Sequence, residues 1–215
     1  MSLGSLLKCM KCFFYAALLI LLLSTFACNN STEKPKLSAY DSFAQNLNAT
    51  TNTVLHPLLS RKAFDTLHTW DLAYFVLEPI RIATSEESEI TLLKQLSPGQ
   101  KALYLFWDID EQVDDGGFIQ YYLNGYGPFM PDAIEGMSLI GDTSFVNLLN
   151  KAHASYLLHK AQFDIHKANN NWAPLFDSLK EFEKYDAQYY KIRDQSMKLV
   201  EIYIRQNANE FVILN

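Results

Sequence analysis

Beyond Ser60, apolar residues recur at three- and four-residue spacing along most of the chain, and strand-like alternation is nowhere sustained. Asp65 is placed to cap TLHTWDLAYFVLE, in which Leu67, Trp70, Tyr74 and Leu77 share a face and Pro79 ends the run. A stronger start follows in SPGQKALYLFWDIDEQV. There Ser97 is an N-cap, Pro98 takes the first helical position and Gln100 completes a capping box. DAIEGMSLIG forms a short helix closed by Gly141, and Asp142 caps TSFVNLLNKAHASYLLHKAQF. The inner stripe of that long helix runs through Phe145, Leu148 or Leu149, Ala152, Tyr156 and Leu158 or His159. Two last amphipathic stretches run from Leu175 to Arg193, on Leu175, Leu179, Phe182, Tyr185, Tyr189 and Ile192, and from Ser196 to Phe211, on Val200, Tyr203, Ile204 and Phe211. The pattern predicts an all-α chain, with one compact multi-helix domain of about six to eight helices over residues 61–215.

The N-terminal stretch breaks this pattern. Lys8 and Lys11 precede an unbroken apolar run from Phe13 to Leu23 and a small-residue approach to Cys28, the layout of an export signal over residues 1–27. The run is shorter than the roughly 20 residues a spanning helix needs. A cysteine after Ala27, followed by the polar NNSTEKPK, resembles the processing site of a bacterial lipoprotein, so Cys28 is the expected lipidation site. Residues 28–60 read as a tether with an irregular segment, punctuated by Pro35 and Pro57. Cys9 and Cys12 fall inside the signal, which leaves no disulfide framework.

The chain carries a formal charge of −6, and removal of residues 1–27 takes away Lys8 and Lys11 and moves it to −8. An acidic surface of this kind repels nucleic acid and anionic headgroups, so direct nucleic-acid binding is disfavoured and a basic protein is the expected partner. Much of the charge is concentrated at Asp108, Asp110, Glu111, Asp114 and Asp115. On a helix from Pro98, Ala102, Phe106, Ile109 and Val113 form the apolar face. Lys101, Tyr104, Asp108, Glu111 and Asp115 then project oppositely into solvent. Asp110 falls at the margin of the apolar face and needs an Arg, a Lys or a set of backbone N–H donors, with Arg61, Arg81, Arg193 and Arg205 as candidates. Gly116 and Gly117 should break the helix, with Asp114 or Asp115 capping the second half, GGFIQYYLN. Phe118, Tyr121 and Tyr122 then wedge into the core, while Gln120 and Asn124 tie down loop backbone.

The run WDIDEQVDDGGFIQYYLNGYG, with AIEGMSLIGDTSFVNLLNKA and the ending YIRQNANEFV, resembles the bacterial DNA-mimic protein family over roughly residues 92–212. The shared features are the acidic helix end, Gly116-Gly117-Phe118, Gln120 followed by the aromatic Tyr121, and Asn124 before a loop; Asp115 stands where the family has Asn. The resemblance implies an all-α fold and carboxylates spaced like duplex phosphates that occupy a DNA-binding protein. Asp108, Glu111, Asp114 and Asp115 are the positions to which such a surface is assigned.

Catalytic and metal chemistry find little support. His56, His68, His153, His159 and His166 are scattered, without a carboxylate or cysteine at usable ligand spacing, and no phosphate-cradling loop or nucleophile elbow occurs. No cofactor, metal or catalytic residue is expected. The expected function is that of a non-catalytic envelope lipoprotein, membrane-anchored through Cys28 and acting as an acidic protein-binding module. A helical enzyme such as a hydrolase is the alternative, as is a true DNA mimic should the chain stay in the cytoplasm.

Overall fold

The computed structural model describes residues 55–82 and 85–215. Eight helices follow one another there: α1 (Arg61–Thr66), α2 (Thr69–Leu77), α3 (Glu86–Leu93), α4 (Pro98–Leu123), α5 (Met130–Ile140), α6 (Thr143–Ala168), α7 (Ala173–Ser178) and α8 (Phe182–Gln206). Two-residue strands, β1 (Leu58–Leu59) and β2 (Ile213–Leu214), pair in parallel and fasten the end of the chain beside the start of the helical array. The all-α architecture read from the pattern is the one observed, and no helix of the described residues is long and apolar enough to cross a membrane. The signal reading of residues 1–27 and the Cys28 site lie outside the described residues.

α4 is the central helix, packed on α2, α5, α6 and α8. Its start is the one the sequence dictates: the Ser97 hydroxyl accepts from the Gln100 N–H, and the Gln100 side chain accepts from the Ser97 N–H. Gln100 also donates to the Leu55 carbonyl, so the chain ahead of α1 is tied to the same helix end. Gly136 of α5 lies so close to α4 that a Cβ there would stand 2.8 Å from the Ala102 Cα, which is why a helix this short packs so closely. Aromatic clusters run through the core: Phe106, Phe145, Tyr189 and Phe118 form one chain of ring contacts, and Tyr122 stacks on Tyr156 at 4.0 Å beside Phe163 and Phe182.

Several local expectations are corrected. Asp65 does not cap α2; it lies inside α1, which Ser60 caps, and pairs with Arg61 one turn back. Of the two residues open at the end of the inner stripe of α6, it is His159 that turns inward, half-buried against Glu181 at 2.9 Å, while Leu158 is largely exposed. The stretch Leu175–Arg193 is not one helix, because α7 stops at Ser178 and Leu179 leaves the helical region. Conversely, nothing separates Arg193 from Ser196. No glycine or proline stands there, and Ser196 is buried within the continuous α8.

Candidate functional site

The acidic segment occupies the middle of α4, where burial on several sides decides what each carboxylate can do. Glu111, Asp114 and Asp115 are exposed, as expected, but Asp108 is not: it is 5% accessible, and its neighbour Tyr104 is also buried. A helix at the centre of a bundle has more than one covered face, so the simple opposition of an apolar and a solvent face fails for it. Burial, reinforced by the negative charge of Glu89 on α3, pushes the Asp108 carboxyl up to about 8, against the opposing pull of Arg81. A hydrogen bond shared with Glu89 also favours the protonated form.

That environment gives a pH-dependent stability with a definite sign. Folded Asp108 keeps its proton to about pH 8, whereas the unfolded chain releases it near the ordinary value of about 3.9. The contribution is therefore fully present below about pH 4 and is lost as pH rises through the folded value. Asp108→Asn removes this dependence, so the melting temperature of the variant relative to wild type should rise between pH 5 and pH 8. A constant difference would show that Asp108 does not titrate there.

Asp110 receives its cation from Arg193 of α8, the one of the four candidate arginines that reaches it: Arg193 Nη2 lies 2.8 Å from Oδ2, Nε approaches Oδ1, and the Tyr189 hydroxyl donates to the same Oδ1. The fork also lies 5.0 Å from the Trp70 ring centre, and its second contact, to Asp114, is longer at 3.5 Å. Glu111 is clamped by Arg81 through both oxygens, with the Nη2–Oε2 arm at 2.8 Å, and accepts from the Trp107 indole at 3.0 Å. The Arg81 bond holds the Glu111 carboxyl below the usual range. Within the segment, Asp115 makes no ion pair among the described residues, and Asp114 has only the long contact.

The glycine break is where the sequence placed it. Gly117 has φ +77° and ψ −179°, a conformation open essentially to glycine alone, and the helical path stops and restarts there. The cap of the second half-helix is different from the one expected. Neither Asp114 nor Asp115 caps it. Asp186 reaches across from α8, and its Oδ1 accepts from the Phe118 N–H at 2.9 Å. Gln120 and Asn124 do not bind loop backbone either. Gln120 donates to Asp115 at 2.7 Å, and Asn124 to Gln112 at 2.6 Å, so both staple the second half-helix to the first across the kink. Phe118, Tyr121 and Tyr122 are buried as wedges.

Asp186, Arg193 and Tyr189 thus converge on the kink from one stripe of α8. Their counterpart on α4 is the same block of residues that carries the family likeness, and comparison with known proteins bears on it directly. A family described as DMP19-like protein matches residues 94–207, from the turn before Ser97 to the end of α8. The chain belongs to this family. The DNA mimic protein DMP19 of Neisseria meningitidis serogroup B (strain ATCC BAA-335 / MC58) is 29% identical over 134 residues, covering 60% of this chain and 77% of that protein. The family match therefore takes in the kinked helix, its acidic approach and the α8 stripe that braces it, while α1, α2 and α3 lie ahead of the matched span.

Proposed function

We propose that the chain acts by binding rather than catalysis, and that it occupies the DNA-binding surface of a basic protein through exposed carboxylates. The observation that carries the reading is membership of the DMP19-like family together with the relative named as a DNA mimic. The net charge of −6 supports it, because an acidic surface steers a basic partner at long range and is screened by salt.

Burial and ion pairing bear on which carboxylates such a surface would use. Asp108 is buried and takes no part, and Glu111 contributes only in so far as a partner displaces Arg81. Asp114 and Asp115 present the most available charge at the kink. Replacing Glu111, Asp114 and Asp115 by Gln, Asn and Asn should leave the melting curve close to wild type and weaken partner capture at least tenfold at low salt. Capture at full strength would remove the 111–115 segment from the interface.

Where the chain resides decides which basic protein it meets. Were Cys28 lipidated, the domain would sit at the cell envelope and the same carboxylates would engage a basic protein there, and DNA mimicry proper belongs to a chain that stays in the cytoplasm. Fatty-acid labelling of wild type and Cys28→Ala tests this. Label that persists in the variant, or never appears, rules out lipidation at Cys28, and fractionation of the same cells then separates an exported, unlipidated chain from one that stays in the cytoplasm.

A further inference from the structure

A cleft of about 410 Å³ opens between the loop that follows α4 and the flank of α6. Its size is that of a small-molecule site. Tyr126 and Phe129 line it from the loop, and Tyr156 and Phe163 line it from α6. The two α6 rings are buried and set against Tyr122, with ring centres at 4.0 and 5.9 Å, so that side of the cleft is preformed. Four charged residues also line the cleft, and three of them are already engaged. Lys160 is paired with both oxygens of Asp164, at 2.8 and 2.7 Å, and Glu89 shares hydrogen bonds with Asp108 and Tyr104. The fourth, Lys167, makes no ion pair among the described residues. Its ammonium stands over the turn at Gly125, where a Cβ would lie 3.2 Å from Nζ, and the φ of +97° there keeps the position to a residue without one.

An aromatic-lined cleft with one uncommitted ammonium selects for a ring that carries one negative charge. We infer that the cleft binds a small aromatic carboxylate, its ring among Tyr126, Phe129, Tyr156 and Phe163 and its carboxylate on the Lys167 ammonium at the Gly125 turn. Ring packing supplies the apolar contact, and the ammonium supplies a compact charge with three donors. A single charge on the ligand fits best. Asp164 and Glu89 line the same cleft and repel a second negative charge, and no arginine lines it to offer a phosphate the two-pronged contact that such a group favours. An aromatic amine is served worse, because it would share the cleft with Lys167 and find both lining carboxylates occupied. A free aromatic acid and the C-terminal aromatic residue of a peptide share the chemistry of the fitting ligand. No residue of the 111–115 segment lines the cleft, so this site and the proposed partner surface stand or fall independently.

Titration calorimetry on the full chain tests this with two aromatic carboxylates, 3-phenylpropionate and the dipeptide N-acetyl-Gly-Phe. The controls are 2-phenylethylammonium, which reverses the charge, and propionate, which lacks the ring. Saturable binding of an aromatic carboxylate is expected, with both controls far weaker. Affinity should fall about tenfold in Lys167→Gln, the loss expected for one charge-assisted contact. Lys151→Gln, which removes the same charge from α6 outside the cleft, should leave it unchanged. Both lysines are exposed, and melting curves check that the variants fold. Tighter binding of the dipeptide identifies a peptide C-terminus as the source, and tighter binding of 3-phenylpropionate identifies a free acid. The inference is overturned if neither aromatic carboxylate binds or if either control binds as tightly. Unchanged affinity in Lys167→Gln, or an equal loss in Lys151→Gln, overturns it as well.

Discussion

Gly117→Val should lower the melting temperature by about 6–12 °C, which corresponds to a loss of about 3 kcal/mol in a domain of this size. Two effects combine. The backbone at φ +77° and ψ −179° costs a side-chain-bearing residue on the order of 1–3 kcal/mol. In addition, a Cβ at this position would stand 2.5 Å from Asp186 Oδ2 and push away the carboxylate that caps the second half of α4, a cap worth about 1 kcal/mol. Gly117→Ala should show most of the effect, because the first methyl group already meets Asp186. Asp186→Ala, which loses the cap but not the backbone geometry, should cost about 1 kcal/mol. A Gly117→Val protein that melts with wild type would mean that α4 runs unbroken in solution.

Arg193→Met is the second large effect, at about 3 kcal/mol or more. Asp110 is buried, and loss of the guanidinium would leave its charge with the Tyr189 hydroxyl alone. Removal of one partner from a buried pair typically costs about 3–5 kcal/mol, and the partial exposure of Arg193 places the expectation at the lower end. The stacking of Arg193 on Trp70 adds to the loss. Asp110→Asn in the same background should restore much of the stability, since the uncompensated charge is then gone. Chemical denaturation of the two single variants and the double variant measures the coupling. Additive losses would show that Asp110 and Arg193 do not act as a pair.

These two sites show what the sequence could and could not convey. The start of α4 was legible because Ser97, Pro98 and Gln100 each favour one local geometry. The break at Gly116-Gly117 was legible because helices rarely hold adjacent glycines. The need of Asp110 for a donor partner followed from its position beside Ile109, yet nothing local distinguished Arg193 from Arg61, Arg81 or Arg205, or from backbone N–H groups, since that pairing depends on how α8 crosses α4. A signal was nevertheless present: Phe182, Asp186, Tyr189 and Arg193 follow one another at four-, three- and four-residue spacing on the inner stripe of α8. Two charged residues in an otherwise aromatic stripe mark partners on the facing helix, here the Phe118 N–H and Asp110. The exposure assigned to Asp108 went astray for a different reason. A helical wheel gives the direction of a side chain, but it does not say how many neighbours surround the helix, and α4 is covered on several sides.

The division among the acidic residues follows from the same packing. Asp108 and Asp110 are drawn inside, Glu111 is held by Arg81, and Asp114 and Asp115 remain outside at a kink stapled by Gln120 and Asn124. A rigid, glycine-broken helix thus presents two carboxylates in a fixed relation, which lowers the ordering cost of binding a complementary basic surface. Such a surface would compete with duplex DNA for the same partner.

That competition is the most direct measurement. The purified chain is immobilised, proteins from the cells that make it are bound at low salt, and the column is washed with short duplex DNA and, separately, with an uncharged polymer. Duplex DNA should release specific DNA-binding proteins, and the column bearing the Glu111→Gln, Asp114→Asn, Asp115→Asn variant should retain far less of them. Captured proteins that duplex DNA leaves in place, or that bind the variant equally well, would contradict it.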